Sequence, residues 1–334
     1  MTVLENEKKE NEFSGIILKR ENQQIQIEMY GYRDKSNQLA IHTDTKFGTA
    51  SMGKIFVAVA IMKLIEQKKL SLETTLDNFY GTSLKEINGD ITIYELLTHT
   101  SGIQDYFDES IEADYEQLWQ KIPNYSIRKN SDIMPLFVDK KQDSKRRGEF
   151  IYNNAGYVLL ADIIEKITNC HFDQVLKDMV FDKLHMSNTG YFELDNLPAN
   201  TAIGYIKEQG EKPRSNIYSI DCKGTGAGGC YTTVMDICNF WDGLFSYEIL
   251  SEKSISEMIK KHVGNEKEHY GLGIWLANST KNHTHIYIEG CDPGVSCISL
   301  FNPLEKDIYT VFSNYEDNVW ELARNYLAGK KNNV

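Results

Sequence analysis

The sequence predicts an α/β (α+β) fold in which one sheet is built from both ends of the chain, with a helical insertion between them. Three observations carry this. Strand-like stretches occupy 14–31, and more of them lie between 270 and 314. The interval between them holds helical periodicity and polar irregular segments. A helical stretch at 317–328 then closes the chain. The expected division is a sheet-and-helix domain from 1–75 plus 230–334, with 76–229 as a mainly helical inserted domain.

Residues 14–19 and 24–31 read as a hairpin with its turn at Glu21-Asn22. The second strand alternates polar and apolar residues, as a strand with one solvated face does. Residues 55–62, Ile-Phe-Val-Ala-Val-Ala-Ile-Met, are apolar without interruption. That marks a helix buried on every side. Thr49 or Ser51 is expected to cap it. Thr92 and Glu95 form a capping box for a short helix ending near His99. Residues 105–147 read as surface helices and loops. Helices follow at 158–167, at 172–182 and, after a cap at Thr232 or Thr233, through Trp241. Residues 193–222 are loop-like. Gly224-Thr225-Gly226-Ala227-Gly228-Gly229 lacks phosphate-loop spacing, so close backbone approach is the better reason for its glycines. Strands are expected at about 270–277, 284–290, 295–302 and 308–314.

The chemistry points to the start of the buried helix. Ser51 and Lys54 are three residues apart and share a face, with Cβ atoms ~5–6 Å apart. A lysine held against an apolar core loses hydration, its pKa falls, and it can take a neighbouring hydroxyl's proton. Ser-x-x-Lys alone also fits a capped helix with one solvated lysine. Tyr152-x-Asn154 precedes another helix and reads either as a packed helix entry or as a phenol and carboxamide lining a cleft. His99 reads as a structural residue bonded to backbone, with a Ser51–His99 dyad as the alternative.

Bulk properties exclude other classes. The 334 residues carry a formal net charge of −12 and a pI near 5.2, which argues against nucleic acid or an anionic membrane as partner. No uncharged apolar run reaches the ~18 residues of a membrane span, and Met1–Phe13 has no apolar signal-peptide core. A cytoplasmic location is therefore expected. The six cysteines form no Cys-x-x-Cys pair or zinc-finger spacing, so no cysteine metal site is expected and reduced thiols are. No other metal and no organic cofactor is expected.

Taken together, the motifs resemble those of the serine hydrolases related to class C β-lactamases, D-alanyl-D-alanine carboxypeptidases and family VIII esterases. Thr45–Lys54 resembles the family's first motif and its lead-in. Leu96-Leu97-Thr98-His99-Thr100-Ser101-Gly102 resembles a structural hallmark, and Tyr152-Asn153-Asn154 resembles the Tyr-x-Asn motif. Ala227-Gly228-Gly229 with Thr232, Thr233 and Asp236 resembles a further segment. The resemblance implies an antiparallel sheet flanked by helices, plus a helical domain, with the site between them. It implies Ser51 as acylated nucleophile and Lys54 and Tyr152 as acid–base residues, with Asn154 holding the substrate amide or Lys54. It implies backbone N–H groups of Ser51 and Cys291 as oxyanion donors. The third motif departs from the family: Ile288-Glu289-Gly290 stands where Lys-Thr-Gly or His-x-Gly is usual. Glu289, Gly290 and Cys291 are thus expected to border the substrate, and β-lactam turnover to be poor. The expected partner is a small ester, amide or peptide. A catalytically impaired member acting as a binding or sensing module is the alternative.

Overall fold

A computed structural model describes residues 13–109, 111, 114–207, 212–264, 269–277 and 285–331. Met1–Phe13, where no signal-peptide core is expected, lies almost wholly outside these residues, as does the start of the strand expected at 284.

Eight antiparallel strands form the main sheet. They are β1 (Gly15–Glu21), β2 (Gln24–Tyr30), β3 (Val263–Gly264), β4 (His269–Tyr270), β5 (Trp275–Leu276), β6 (Ile286–Asp292), β7 (Val295–Phe301) and β8 (Ile308–Ser313). Their spatial order is β2-β1-β8-β7-β6-β5-β4-β3. The two chain ends meet where β1 pairs with β8, Gly15 opposite Ser313 and Arg20 opposite Ile308. One sheet is thus built from both termini, as the strand distribution predicts.

The period of two along β7 serves two cores at once. Cys297 and Phe301 face the larger core, whereas Ile298 and Leu300 pack under the C-terminal helix with Val319 and Ala323. A strand covered on both faces reads as a continuous apolar run, and Val295–Phe301 is buried throughout.

Five helices matter to the site: α1 (Lys54–Glu66), α2 (Ile93–Leu97), α3 (Asn154–Thr168), α4 (Val234–Phe245) and α5 (Val319–Lys331). From Lys54 to Met62 every residue of α1 is buried, as its unbroken apolar run requires. Phe56 on α1 meets Phe181 and Phe240 edge-on at 5.0 and 5.2 Å. Trp241 of α4 stacks on Phe301 and donates its indole N–H to Ser299 Oγ at 2.9 Å. Arg20 reaches across to Asp242 in a bidentate pair at 2.6 Å, fixing α4 to β1. The Thr92–Glu95 capping box is present on α2, and Thr233 caps α4 by accepting from Asp236 N–H.

Several expectations are corrected. Neither Thr49 nor Ser51 caps α1. Ala50–Gly53 form a 3-10 turn running into the helix, and the Thr49 hydroxyl instead donates to the Cys230 carbonyl at 2.7 Å. The strand expected over 270–277 is two short strands, because Gly273 adopts φ +77° in the turn between them. The helix expected over 172–182 is regular only to Leu176 and continues as a π-turn to Phe181. β2 is an edge strand, exposed on both faces rather than one. The loop-like stretch 193–222 contains a two-residue ladder, Tyr205–Ile206 with Arg214–Ser215. All six cysteines are free thiols, with Cys170 and Cys291 exposed. Among the described residues no helix is long and apolar enough to cross a membrane.

Candidate active site

The turn bearing Ser51 is gripped from two sides by glycines. A Cβ at Gly290 on β6 would lie 2.2 Å from the Thr49 carbonyl oxygen and 2.7 Å from the Ser51 nitrogen. A Cβ at Gly228 would lie 2.4 Å from the Ala50 carbonyl oxygen. The glycine-rich segment and Gly290 are therefore small because backbone meets backbone there. Ala50 itself sits at φ +46°, a conformation that costs a non-glycine residue about 1–2 kcal/mol and that often marks functional turns.

One turn along, Lys54 is 2 % exposed. Its Nζ donates to three acceptors: Ser51 Oγ at 2.8 Å, Asn154 Oδ1 at 2.7 Å and the Ala227 carbonyl at 2.5 Å. Burial lowers the Lys54 pKa to about 8, although the carboxylates of Glu109, Asp105 and Asp292 pull it upward.

Asn154 is the first residue of α3, so its side chain is aimed by the start of that helix. Asn153 caps α3 through Gly156 N–H at 2.7 Å. The buried Asp105 carboxylate accepts the N–H groups of Asn154 at 2.5 Å and Ala155 at 3.1 Å. Burial raises the Asp105 pKa to about 7 against the pull of these bonds. Asn154 Nδ2 in turn donates to Glu109 at 3.2 Å.

Tyr152 is wedged between aromatic rings. Its ring stacks on Trp275 at 6.1 Å, tilts over His99 at 4.5 Å, and has the Lys54 ammonium 4.9 Å from its centroid. Burial pushes its phenol well above the ordinary value, and the neighbouring Ser51 hydroxyl offsets this in part. At neutral pH the phenol carries its proton.

His99 is placed as a strut. Its Nδ1 accepts the Asn153 N–H at 3.0 Å, which puts the ring proton on Nε2, 3.3 Å from the Tyr270 hydroxyl. Tyr157 lies 3.4 Å beyond and donates to the Leu97 carbonyl. Burial and the charge of Lys54 hold the imidazole well below its usual pKa, so it is neutral. Among the described residues no hydrogen bond joins His99 to Ser51, and the dyad has no geometric basis.

Ile288, Glu289, Gly290 and Cys291 lie in order along β6. Ile288 is buried and borders a narrow recess with Ser51, Lys54, Tyr152 and Trp275. Glu289 also borders it, but its carboxylate accepts the Trp320 indole N–H at 2.6 Å on the α5 side of the sheet. Cys291 lines the main cleft beside Ser51, a cavity of about 570 Å³. Sequence reasoning missed Asp105, Glu109, Asp292 and the Ala227 carbonyl. The first three are carboxylates without a motif around them, and the last is a backbone atom. No group of three or more metal-ligating side chains occurs among the described residues.

This fold, with a serine and lysine on one buried turn facing a tyrosine and an asparagine, is that of the serine hydrolases that include β-lactamases and penicillin-binding proteins. The beta-lactamase family model matches residues 14–331, and the chain belongs to that family. It is 25 % identical over 341 residues to Penicillin-binding protein 4* of Bacillus subtilis (strain 168), covering 96 % of this chain and 73 % of that one. The crystal structure of a penicillin-binding protein from Bacillus halodurans superposes with a TM-score of 0.91 at 32 % identity, over 98 % of this chain and 99 % of that one. A D-amino acid amidase from Ochrobactrum anthropi SV3 shares the fold, with a TM-score of 0.77 at 20 % identity over 93 % of this chain and 89 % of that one.

Proposed function

We propose that this protein hydrolyses an ester or amide through an acyl-enzyme on Ser51. The observation that carries the reading is the set of three acceptors around Lys54. Asn154 Oδ1 and the Ala227 carbonyl can only accept, so they hold two N–H bonds. In the neutral amine the lone pair is then left facing Ser51 Oγ.

The steps follow from this geometry. Neutral Lys54 takes the Ser51 hydroxyl proton as Oγ bonds to the substrate carbonyl carbon. The oxyanion is received by the backbone N–H groups of Ser51 and Cys291; one such donor contributes about 3 kcal/mol. Collapse breaks the bond to the leaving group, which takes a proton from the Tyr152 phenol, and Lys54 returns its proton to Tyr152. Water then gives a proton to Lys54 and attacks the acyl carbon; collapse breaks the Ser51 Oγ–acyl bond and releases the acid, and Lys54 returns the proton to Oγ, restoring both residues.

β-Lactam turnover is expected to be poor, because buried Ile288 stands where the family usually has a cation or an imidazole. The same residue favours the second reading, an impaired member that binds without turnover. The deciding experiment compares Lys54→Ala, Tyr152→Phe and the double variant. If the two act as one proton-transfer unit, all three fall to a similar floor. Additive losses, or activity untouched by either change, would contradict the mechanism.

A further inference from the structure

The cleft in front of Ser51 is strongly acidic. Six carboxylates line it: Glu109, Asp114, Glu116, Asp221, Asp292 and Glu316. Its wall has one cationic side chain among the described residues, Arg214, whose charge is matched by a bidentate pair with Glu116 at 2.7 and 2.9 Å. Asp221 accepts the Tyr115 hydroxyl at 2.9 Å, and Glu109 accepts from Asn154. Asp292 differs from these. It directly follows Cys291 on β6 and shares the cavity with Ser51. Among the described residues no hydrogen bond or ion pair reaches its carboxylate. Desolvation in the cleft and the repulsion of Asp221, Glu109 and Glu316 hold its pKa well above the ordinary carboxylate value, and the charge of Lys54 offsets this only in part.

An unpaired carboxylate on the strand beside the nucleophile is stabilised by a cation delivered from solution. Lys54 attracts the carboxylate from a distance but makes no direct pair with it, because its Nζ is bonded to Ser51, Asn154 and Ala227. We infer that the substrate carries a protonated primary amine on its acyl part, received by Asp292, with Glu109 flanking it on the Asn154 side of the cleft. Asp292 is thereby the specificity-determining residue of the site. This rests on the acyl-enzyme reading for the term "substrate", but the binding it predicts does not depend on turnover.

The test measures calorimetric binding of alaninamide and N-acetylalaninamide, each as both enantiomers, to Ser51→Ala at pH 7. The better enantiomer of the free amine should bind at least about tenfold more tightly than its acetylated form. The preference should shrink as salt rises and collapse toward unity in Ser51→Ala/Asp292→Asn. Equal or tighter binding of the acetylated amide overturns the inference, as does a preference that survives Asp292→Asn. The wild-type ratio decides the matter even if the double variant does not fold. A parallel arm exposes wild-type protein to nitrophenyl esters of alanine and of propionate. Acylation of Ser51 by both without amine preference in binding removes the amine subsite and keeps the hydrolase. Amine-selective binding with no acylation by either ester keeps the subsite and removes the hydrolase.

Discussion

The carboxylate of Asp105 accepts the backbone N–H of Asn154 at 2.5 Å, and the side chain of Asn154 accepts a proton of Lys54 at 2.7 Å. A loop carboxylate thus sets the position of a helix start, and the helix start sets the direction of the lysine. Asp105→Ala should lose about 1–2 kcal/mol, the range of a lost helix cap, read by urea denaturation. It should also lower kcat/KM, because Asn154 is released. Asp105→Asn, which keeps an acceptor, should recover most of the stability. Equal loss in both variants would show that the carboxylate charge, rather than the cap, is what matters.

Lys54 must be neutral to act as base, and its pKa is about 8 in the fold. The folded value is depressed from 10.5, so protonation is disfavoured in the native state and kcat/KM should rise with pH through about 8. By linkage the unfolded chain binds more protons between about 8 and 10.5, so this residue's contribution to stability increases across that window and is lost as pH falls through about 8. Glu109 is the leading charge holding the value up. Glu109→Gln should therefore move the acid limb of the pH profile to lower pH. A shift to higher pH would reverse the electrostatic assignment.

His99 is buried against Tyr152, Tyr157 and Tyr270. His99→Ala leaves a cavity and an unpaired Asn153 N–H, and on both grounds should cost about 3–5 kcal/mol in chemical denaturation. Activity per folded molecule should fall much less than in Ser51→Ala. A His99→Ala protein of normal stability that is as inactive as Ser51→Ala would restore the histidine to the chemistry.

The helix of Ile55–Met62, the capping box at Thr92 and the terminal strands were all legible in the sequence, because each is a local pattern of period or spacing. Ser51, Lys54, Tyr152 and Asn154 were legible through their motifs, and the structure brings them together. Asp105, Glu109 and Asp292 were not, because they reach the site from a loop and a strand end and carry no spacing relation to it. Glu289 was half legible. Strand alternation puts it on the face opposite Ile288 and Gly290, and only the Trp320 indole shows where its carboxylate goes.

That placement sharpens the expectation for the third motif. Ile288→His puts an imidazole into the recess beside Ser51 and Tyr152, and should shift kcat/KM toward acyl substrates with a free carboxylate. Glu289→Gln should change this preference less, since its carboxylate is committed to Trp320. The comparison uses matched substrates bearing a carboxylate, its methyl ester or an amine. A larger effect from Glu289→Gln than from Ile288→His would place the controlling charge at Glu289 instead.

In this mechanism Ser51 is an activated nucleophile. Intact-mass spectrometry after exposure to a fluorophosphonate tests it most directly. The wild-type protein should gain the mass of one phosphonyl group, mapped to Ser51, while Ser51→Ala gains none and Lys54→Ala reacts far more slowly. Equal labelling of wild type and Ser51→Ala, or no labelling of either, would contradict it.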